Sequence, residues 1–162
     1  MQRFAFLVLI SVAASSATAA GKELSAALVA AAPAADPIAV AQAVQAMQCA
    51  GQPDGEPVSR LVLIDYSRPS TAPRLWVFDL ATRTLSREER VAHGQGSGDN
   101  HATRFSNDPG SHQTSLGLFR TRDTYIGRNG YSLRLEGLDP GVNDRAMQRA
   151  IVMHGAPYVS EA

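Results

Sequence analysis

The stretch that decides the fold is the glycine-punctuated run Val91–Gly155, which closes with Ala150-Ile-Val-Met-His-Gly155. Residues 151–153 form a short apolar segment of strand character, and glycine follows His154 directly. Because glycine lets the backbone turn away just past the ring, this pattern delivers an imidazole from a strand end to an open site. A neutral imidazole there could take a proton from a thiol or a hydroxyl. These residues alone leave open an ordinary strand-end histidine without a catalytic role.

Around this segment, the chain after residue 58 alternates short apolar stretches with glycine- and proline-rich turns. Apolar alternation with a period of two predicts strands. The predicted strands are Arg60–Asp65, Arg74–Asp79, Arg90–Ala92, Leu116–Thr121, Ser132–Leu135 and Ala150–His154. Asn143 is predicted to cap a short helix through Arg149. Many short strands with little helix predict a mainly β fold, a sandwich or a barrel.

The alanine-rich segment before these strands predicts one or two helices. The first covers Lys22–Ala32, and Asp36-Pro37 supplies an N-cap with proline at the first position of the second. In that second helix, apolar residues recur at helical spacing at Ile38, Ala41, Val44, Ala46 and Cys49. This spacing predicts that Cys49 is a buried small side chain rather than a nucleophile. The connector Gln52–Ser59 is the predicted boundary, so residues 20–57 form a helical segment and linker, and 58–162 form the β domain.

Residues 1–19 predict a secretory signal peptide. Arg3 precedes the apolar stretch Phe4–Ala14, and Ala17-Thr-Ala19 fits the small-x-small rule for cleavage. The apolar stretch is shorter than the about 20 residues that a spanning helix needs, although an uncleaved anchor is the alternative. We therefore expect cleavage after Ala19, a periplasmic or secreted protein, and no membrane association afterwards.

Composition and spacing argue against several classes of function. The formal net charge is zero and no basic stripe is visible, so nucleic acid is not an expected partner. The glycines at 94, 96 and 98 are followed by neither an amphipathic helix nor a Walker lysine, which argues against nucleotide binding. The four histidines lack the close spacing typical of a zinc site. We expect no metal and no cofactor, and the oligomeric state is not indicated.

Three segments, taken in order, carry a family resemblance. Leu61–Ala92 contains two apolar strands and leads into the Val-x-x-Gly element at Val91–Gly94. Thr114-Ser-Leu-Gly-Leu-Phe119 has the form Thr-Pro-x-Gly-x-Phe, with serine in place of proline. Ile151–Gly155 ends in His-Gly. Together these segments resemble the murein L,D-transpeptidase catalytic domain, the YkuD-type β-sandwich.

The resemblance implies cysteine acyl transfer on peptidoglycan stem peptides. A thiolate would attack the carbonyl at the L-centre of a stem tetrapeptide and expel the terminal D-alanine, and an amine or water would resolve the acyl-enzyme. His154 would be the base that activates the thiol. Gly94, Ser115, Gly117 and Gly155 would line the approach of the substrate.

The resemblance also implies a Ser-x-Gly-Cys nucleophile motif downstream of the histidine, and residues 155–162 do not contain it. We therefore expect an incomplete β-sandwich that is marginally stable and inactive as a transpeptidase in this form. The alternative is a non-catalytic peptidoglycan-binding module of the periplasm.

Overall fold

The computed structural model describes residues 9–51 and 57–159. Within these residues two helices precede six strands: α1 Leu9–Ala31, α2 Pro37–Ala50, β1 Arg60–Ile64, β2 Leu75–Asp79, β3 Thr84–Glu89, β4 Phe119–Gly127, β5 Gly130–Gly137 and β6 Val152–His154. The strands form two three-stranded antiparallel sheets, in the orders β1-β2-β3 and β4-β5-β6. The predicted β-rich fold preceded by helices is confirmed.

Helix α1 runs through the peptide bond between residues 19 and 20, where cleavage is predicted. No helix in the described part of the chain is both long and apolar enough to cross a bilayer. The signal-peptide prediction falls partly on residues 1–8, and the linker prediction falls partly on 52–56. Both segments lie outside the described residues, so cleavage after Ala19 and the boundary at residue 58 stay predictions.

Helix α2 begins at the predicted cap. The Asp36 carboxylate accepts hydrogen bonds from the backbone N–H groups of Ile38 at 2.7 Å and Ala39 at 3.1 Å. Pro37 occupies the first turn, where a missing N–H costs nothing. Gly51 ends the helix at φ 69°. The sequence pattern therefore located the start of α2.

The buried face of α2 differs from the prediction. Val40 and Val44 are the buried residues of the helix, whereas Ile38 is 69% exposed and Cys49 is exposed. At 3.6 residues per turn, position 49 lies about 140° around the helix from position 44. The prediction that Cys49 is buried was therefore wrong, because the apolar stripe runs through the two valines and not through the cysteine.

The chain divides into two compact units, Met1–Leu61 with Val77–Ser86, and Val62–Trp76 with Arg87–Ala162. The core of the first unit contains Leu28, Ala32, Val40, Val44 and Phe78, all at most 1% exposed. In the second unit Leu63, Leu75, Trp76 and Ala146 are buried. Each large apolar side chain removed from water stabilises its unit by about 1.5–3 kcal/mol.

The β4-β5-β6 sheet sets the geometry of the candidate site. Strands β4 and β5 form a hairpin in which Gly127 pairs with Gly130, and a register shift falls between Thr121 and Thr124. Strand β6 pairs with the other edge of β5. Directly opposed residues and alternate residues of one strand share a face of the sheet. Residues that share the face of His154 by this register include Tyr125, Ser132, Arg134, Glu136 and Val152.

Two local predictions were wrong. Residues 90–92 are not a strand, and the third strand lies just before them, at Thr84–Glu89. Its sequence TLSREE is polar and mostly exposed, so it shows no apolar alternation. Residues 143–149 form successive turns instead of a helix, and Ala150 follows at φ 55°. The side chain of Asn143 does not cap this segment, because it bonds to chain segments elsewhere.

Candidate active site

His154 ends strand β6 and is half-buried. Its Nδ1 lies 2.9 Å from the carbonyl oxygen of Gly155. A carbonyl only accepts hydrogen bonds, so Nδ1 carries the ring proton. Nε2 is then the unprotonated nitrogen, and it lies 3.3 Å from the side-chain amide nitrogen of Asn129, which donates to it. The atom of this ring that can take a proton is therefore Nε2.

Asn129 reaches the histidine because of the β4–β5 hairpin. The loop residues Arg128 and Asn129 join the paired glycines 127 and 130, and Gly130 has φ 79°. Ser132, which pairs with His154, is 2% exposed and donates its hydroxyl hydrogen to the Gly130 carbonyl at 3.1 Å. Sequence reasoning missed Asn129. The Asn-Gly dipeptide between two strand-like segments is a hairpin signal that could have located it.

Gly94 lies where two loops meet; we call residues 94–98 and 106–117 the loop cluster. The N–H of Gly94 donates to Thr114 Oγ1 at 2.8 Å, and the N–H of Thr114 donates to Ser97 Oγ at 2.9 Å. A Cβ at position 94 would lie 2.5 Å from the carbonyl oxygen of His112. Only glycine fits this approach without backbone movement.

Ser115 lies in the second loop of the cluster and is 4% exposed. Its hydroxyl donates to the Ser106 carbonyl at 2.9 Å and accepts from Arg149 Nη1 at 2.5 Å. The guanidinium of Arg149 also donates to Ser106 O (2.6 Å), Ser111 Oγ (3.0 Å) and Gln113 O (2.6 Å). The Ser115 hydroxyl is thus engaged within the protein, and Arg149 ties the loop to the segment that leads into β6.

Gly117 has φ 105°, and a Cβ there would collide with the carboxylate of Asp139 and the amide of Asn143. Asp139 Oδ2 accepts the N–H of Leu118 at 2.7 Å. Asn143 is fully buried; its Nδ2 donates to the carbonyls of Leu116 and Leu118, both at 3.0 Å. These two polar side chains fix the backbone around Gly117, and sequence reasoning did not assign them this role.

A buried cation supports the entry to the loop cluster. Arg74 is 0% exposed and donates to the carbonyls of Val91 and Arg68. Its Nη2 also lies 2.9 Å from Nδ1 of His93. Arginine has no acceptor, so Nδ1 of His93 is unprotonated and its Nε2–H donates to the Gly98 carbonyl at 3.1 Å. Both ring nitrogens of His93 are therefore engaged in holding the loop.

Burial lowers the pKa of Arg74, and Tyr66 and Asp65 oppose this shift. The guanidinium carbon lies 5.0 Å from the centroid of the Tyr66 ring. A guanidinium starts from so high a pKa that it stays charged at neutral pH. Arg74 is thus a permanent buried cation that is satisfied by carbonyl oxygens, an imidazole and an aromatic face.

The predicted site residues fall into two groups. Gly94, Ser115 and Gly117 belong to the loop cluster, whereas His154 and Gly155 lie at the end of β6 beside Asn129. Within residues 9–51 and 57–159, no hydrogen bond joins the two groups directly. Gly155 is exposed with open space around it. The substrate-binding roles of the four non-histidine residues stay predictions.

The other two histidines, His101 and His112, are exposed. Three or more metal-ligating side chains do not cluster anywhere in the part of the chain that the structure describes.

A strand-end histidine whose unprotonated nitrogen is Nε2 defines a candidate site for a general base. The model of the L,D-transpeptidase catalytic domain family, YkuD_2, matches residues 31–162. The chain therefore belongs to the L,D-transpeptidase catalytic domain family, which implies a peptidoglycan substrate. No curated protein and no solved structure matches the chain.

Proposed function

We propose that this chain takes part in L,D-transpeptidase-type acyl transfer on peptidoglycan stem tetrapeptides, with Nε2 of His154 as the base. The observation that carries the proposal is the pair of contacts around this ring. The Gly155 carbonyl accepts a hydrogen bond from Nδ1–H, and the Asn129 amide donates a hydrogen bond to the lone pair of Nε2. Family membership over residues 31–162 supplies the class of reaction.

In the proposed reaction, a thiol displaces the Asn129 amide from Nε2 and gives this nitrogen its proton, and the thiolate attacks the carbonyl at the L-centre of the stem. The C–N bond to the terminal D-alanine breaks, and the imidazolium returns the proton to the leaving amine. An amine or water then attacks the thioester and releases the thiol. The Gly155 carbonyl stabilises the imidazolium, because it accepts the Nδ1–H throughout.

The thiol of this reaction is not assigned to Cys49. This is the one cysteine among the 162 residues, and it is an exposed residue in the last turn of α2. Its neighbours, Met47-Gln48 and Ala50, do not form the Ser-x-Gly-Cys pattern. We propose that the 162-residue polypeptide alone forms no acyl-enzyme.

The test is incubation of the polypeptide with a carbapenem, followed by intact-protein mass measurement, with release of D-alanine from a stem tetrapeptide as a second readout. We expect no stoichiometric adduct and no release. The matched variants are Cys49→Ala and His154→Gln. An adduct on the wild type that disappears in Cys49→Ala would show that Cys49 is the nucleophile and that this part of the proposal is wrong.

Binding of the substrate without turnover is the second candidate function. The observation that favours it is the loop cluster, which Arg149 and Asn143 hold in place without any contribution from a thiol. A pull-down with purified sacculi tests this candidate, because the polypeptide alone is expected to release no D-alanine in either case. Retention supports binding of the substrate, and lack of retention argues against both candidates.

We also propose that the protein is exported and acts in the periplasm. The support is the signal-peptide pattern of residues 1–19 and the peptidoglycan substrate that the family implies. N-terminal sequencing of the protein from the cell envelope should then begin at Ala20. An intact Met1 would contradict export by cleavage.

A further inference from the structure

A concave site of about 260 Å³ lies beside the histidine in the second unit. Its lining consists of Tyr125, Arg134, Met147, Ala150, Ile151 and Val152. Apolar side chains from the turn before β6 form one wall, and a guanidinium and a phenol ring from the β4–β5 hairpin form the other. None of the residues assigned to the site above lines this cavity.

The cavity opens on the face of the sheet that carries His154. Arg134 pairs directly with Val152, and Ser132 pairs with His154. Paired residues share a face, and so do residues two apart in one strand. Two residues of a strand span about 6.7 Å. Arg134 therefore occupies the same-face position next to Ser132, the residue that pairs with His154. Its guanidinium contacts Asp123 and Tyr125 of β4.

Arg134 is held in place but not saturated. Its guanidinium carbon lies 4.2 Å from the centroid of the Tyr125 ring, and Nη1 lies 2.6 Å from Asp123 Oδ2. Stacking on the ring fixes the plane of the guanidinium. Among the described residues, no hydrogen bond uses its Nε or Nη2. One edge is thus anchored by Asp123, and the other is available to a ligand.

The pair with Asp123 does not close the site. The two side chains are 38% and 67% exposed, and solvent screens an exposed pair of this kind. A second carboxylate on the remaining edge would gain charge-assisted hydrogen bonds of the planar, two-donor type that guanidinium favours. The ligand chemistry that this site fits is a carboxylate on an otherwise apolar group.

We infer that Arg134 binds the C-terminal carboxylate of the acyl-donor peptide, next to the base. The inference rests on the proposed function. In a peptide that loses its last residue, the scissile carbonyl carbon and the terminal carboxylate carbon are about one residue, or 3.8 Å, apart. A hydrogen bond of about 2.8 Å adds the reach to the guanidinium. The sum is comparable with one same-face step of a strand, about 6.7 Å, which is the backbone offset between Arg134 and Ser132, the partner of His154.

Ala150 lines the cavity in a left-handed conformation, at φ 55°. It is held there by hydrogen bonds of its own N–H to the Met147 carbonyl and of the Ile151 N–H to the Ala146 carbonyl. Binding of a free carboxylate at Arg134 would restrict the reaction to the last residue of the stem.

The test compares diacetyl-L-lysyl-D-alanine with its C-terminal carboxamide, by NMR titration of the ¹⁵N-labelled polypeptide. The two ligands differ only in the terminal charge. We expect the acid to bind at least about tenfold more tightly than the amide, as one charge-assisted contact predicts. Shifts should centre on Arg134, Val152 and His154.

Variants assign the preference to one side chain. Arg134→Gln should reduce the acid-to-amide ratio to about one, and Arg134→Lys should leave an intermediate ratio, which also serves if the first variant does not fold. Asp123→Asn should increase the ratio, because it removes a competing carboxylate. The matched control is Arg122→Gln: Arg122 is about as exposed as Arg134 (40% against 38%), forms an ion pair with Glu136 and does not line the cavity. It should keep the wild-type ratio.

Equal affinities of acid and amide for the wild type would overturn the inference, as would a ratio that survives Arg134→Gln. His154→Gln separates the inference from the proposed function. If Arg134 is the carboxylate site, this variant keeps the preference for the acid, whatever the histidine does in catalysis.

Discussion

The side-chain amide nitrogen of Asn129, in the loop of the β4–β5 hairpin, lies 3.3 Å from Nε2 of His154 in β6. On the other side of the ring, the carbonyl of Gly155 accepts the proton of Nδ1. The hairpin loop and the chain after β6 thus act on opposite nitrogens of one imidazole. Together they select the tautomer with the proton on Nδ1 and the lone pair on Nε2.

Asn129→Asp should reverse this tautomer. A carboxylate donates nothing, so a hydrogen bond across the same gap requires a proton on Nε2. We expect the ¹⁵N signals of the ring to show Nε2 protonated in this variant. Asn129→Ala is the control, which should leave the proton on Nδ1 because the Gly155 carbonyl remains. Identical ring spectra for the wild type and Asn129→Asp would mean that the two side chains do not interact in solution.

Arg149→Met should destabilise the protein by about 2–4 kcal/mol in urea unfolding, because four hydrogen bonds from a half-buried guanidinium are lost and their acceptors are left without it. Arg149→Lys, with fewer donors and no planar fork, should lose less. The control is Arg145→Gln, since Arg145 is 51% exposed and reaches Asp108 only at 3.8 Å. That change should cost less than about 1 kcal/mol. Equal losses at the two positions would contradict the role given to Arg149.

Gly117→Ala should lower the free energy of unfolding by more than about 2 kcal/mol, because strain at φ 105° adds to a collision with the Asp139 carboxylate. Gly141→Ala is the matched control. Gly141 also has a positive φ, 75°, but open space surrounds the added methyl group. It should therefore lose only the strain energy, about 1 kcal/mol. A control variant that loses as much as Gly117→Ala would refute the collision.

Stability should fall in alkali through Tyr66. Burial raises the pKa of Tyr66, while Arg74 and a hydrogen bond with Thr114 oppose the shift. The folded state holds the phenolic proton more tightly than the unfolded chain, so this stability is complete below the ordinary tyrosine pKa of about 10 and is lost as the pH rises through the folded value.

The measurement is urea unfolding at pH 9 and pH 11. Tyr66→Phe should lose less stability between the two than the wild type. The control is Tyr131→Phe, because Tyr131 is 67% exposed. It should follow the wild type. If Tyr66→Phe lost as much stability as the wild type between the two pH values, Tyr66 would not be the cause of the loss.

Strong local signals allowed much of the fold to be predicted from the sequence. Asp36-Pro37 marks the start of α2 through capping chemistry that acts within four residues, and β1 and β2 follow from alternating apolar residues. Strand β3 was not predicted because its residues are polar and mostly exposed. Backbone hydrogen bonds form the strand, and they do not depend on the hydropathy of the side chains. The buried face of α2 was predicted wrongly because, in an alanine-rich helix, more than one face is apolar enough to be buried.

The candidate site was predictable only in part. His154 and the glycines of the loop cluster could be found from the sequence, because each motif is defined by the residue type at one position. Asn129, Asn143 and Arg149 act across 25 or more positions of the chain. Such pairings depend on sheet register and loop path, which spacing does not reveal.

The measurement that tests the central claim most directly is the protonation state of the His154 ring, read from long-range ¹H–¹⁵N NMR of the labelled polypeptide above the pH at which the imidazole is neutral. The account requires a proton on Nδ1 and no proton on Nε2. A ring that carries its proton on Nε2 would have no lone pair to offer on that side, and the assignment of this histidine as the base would be wrong.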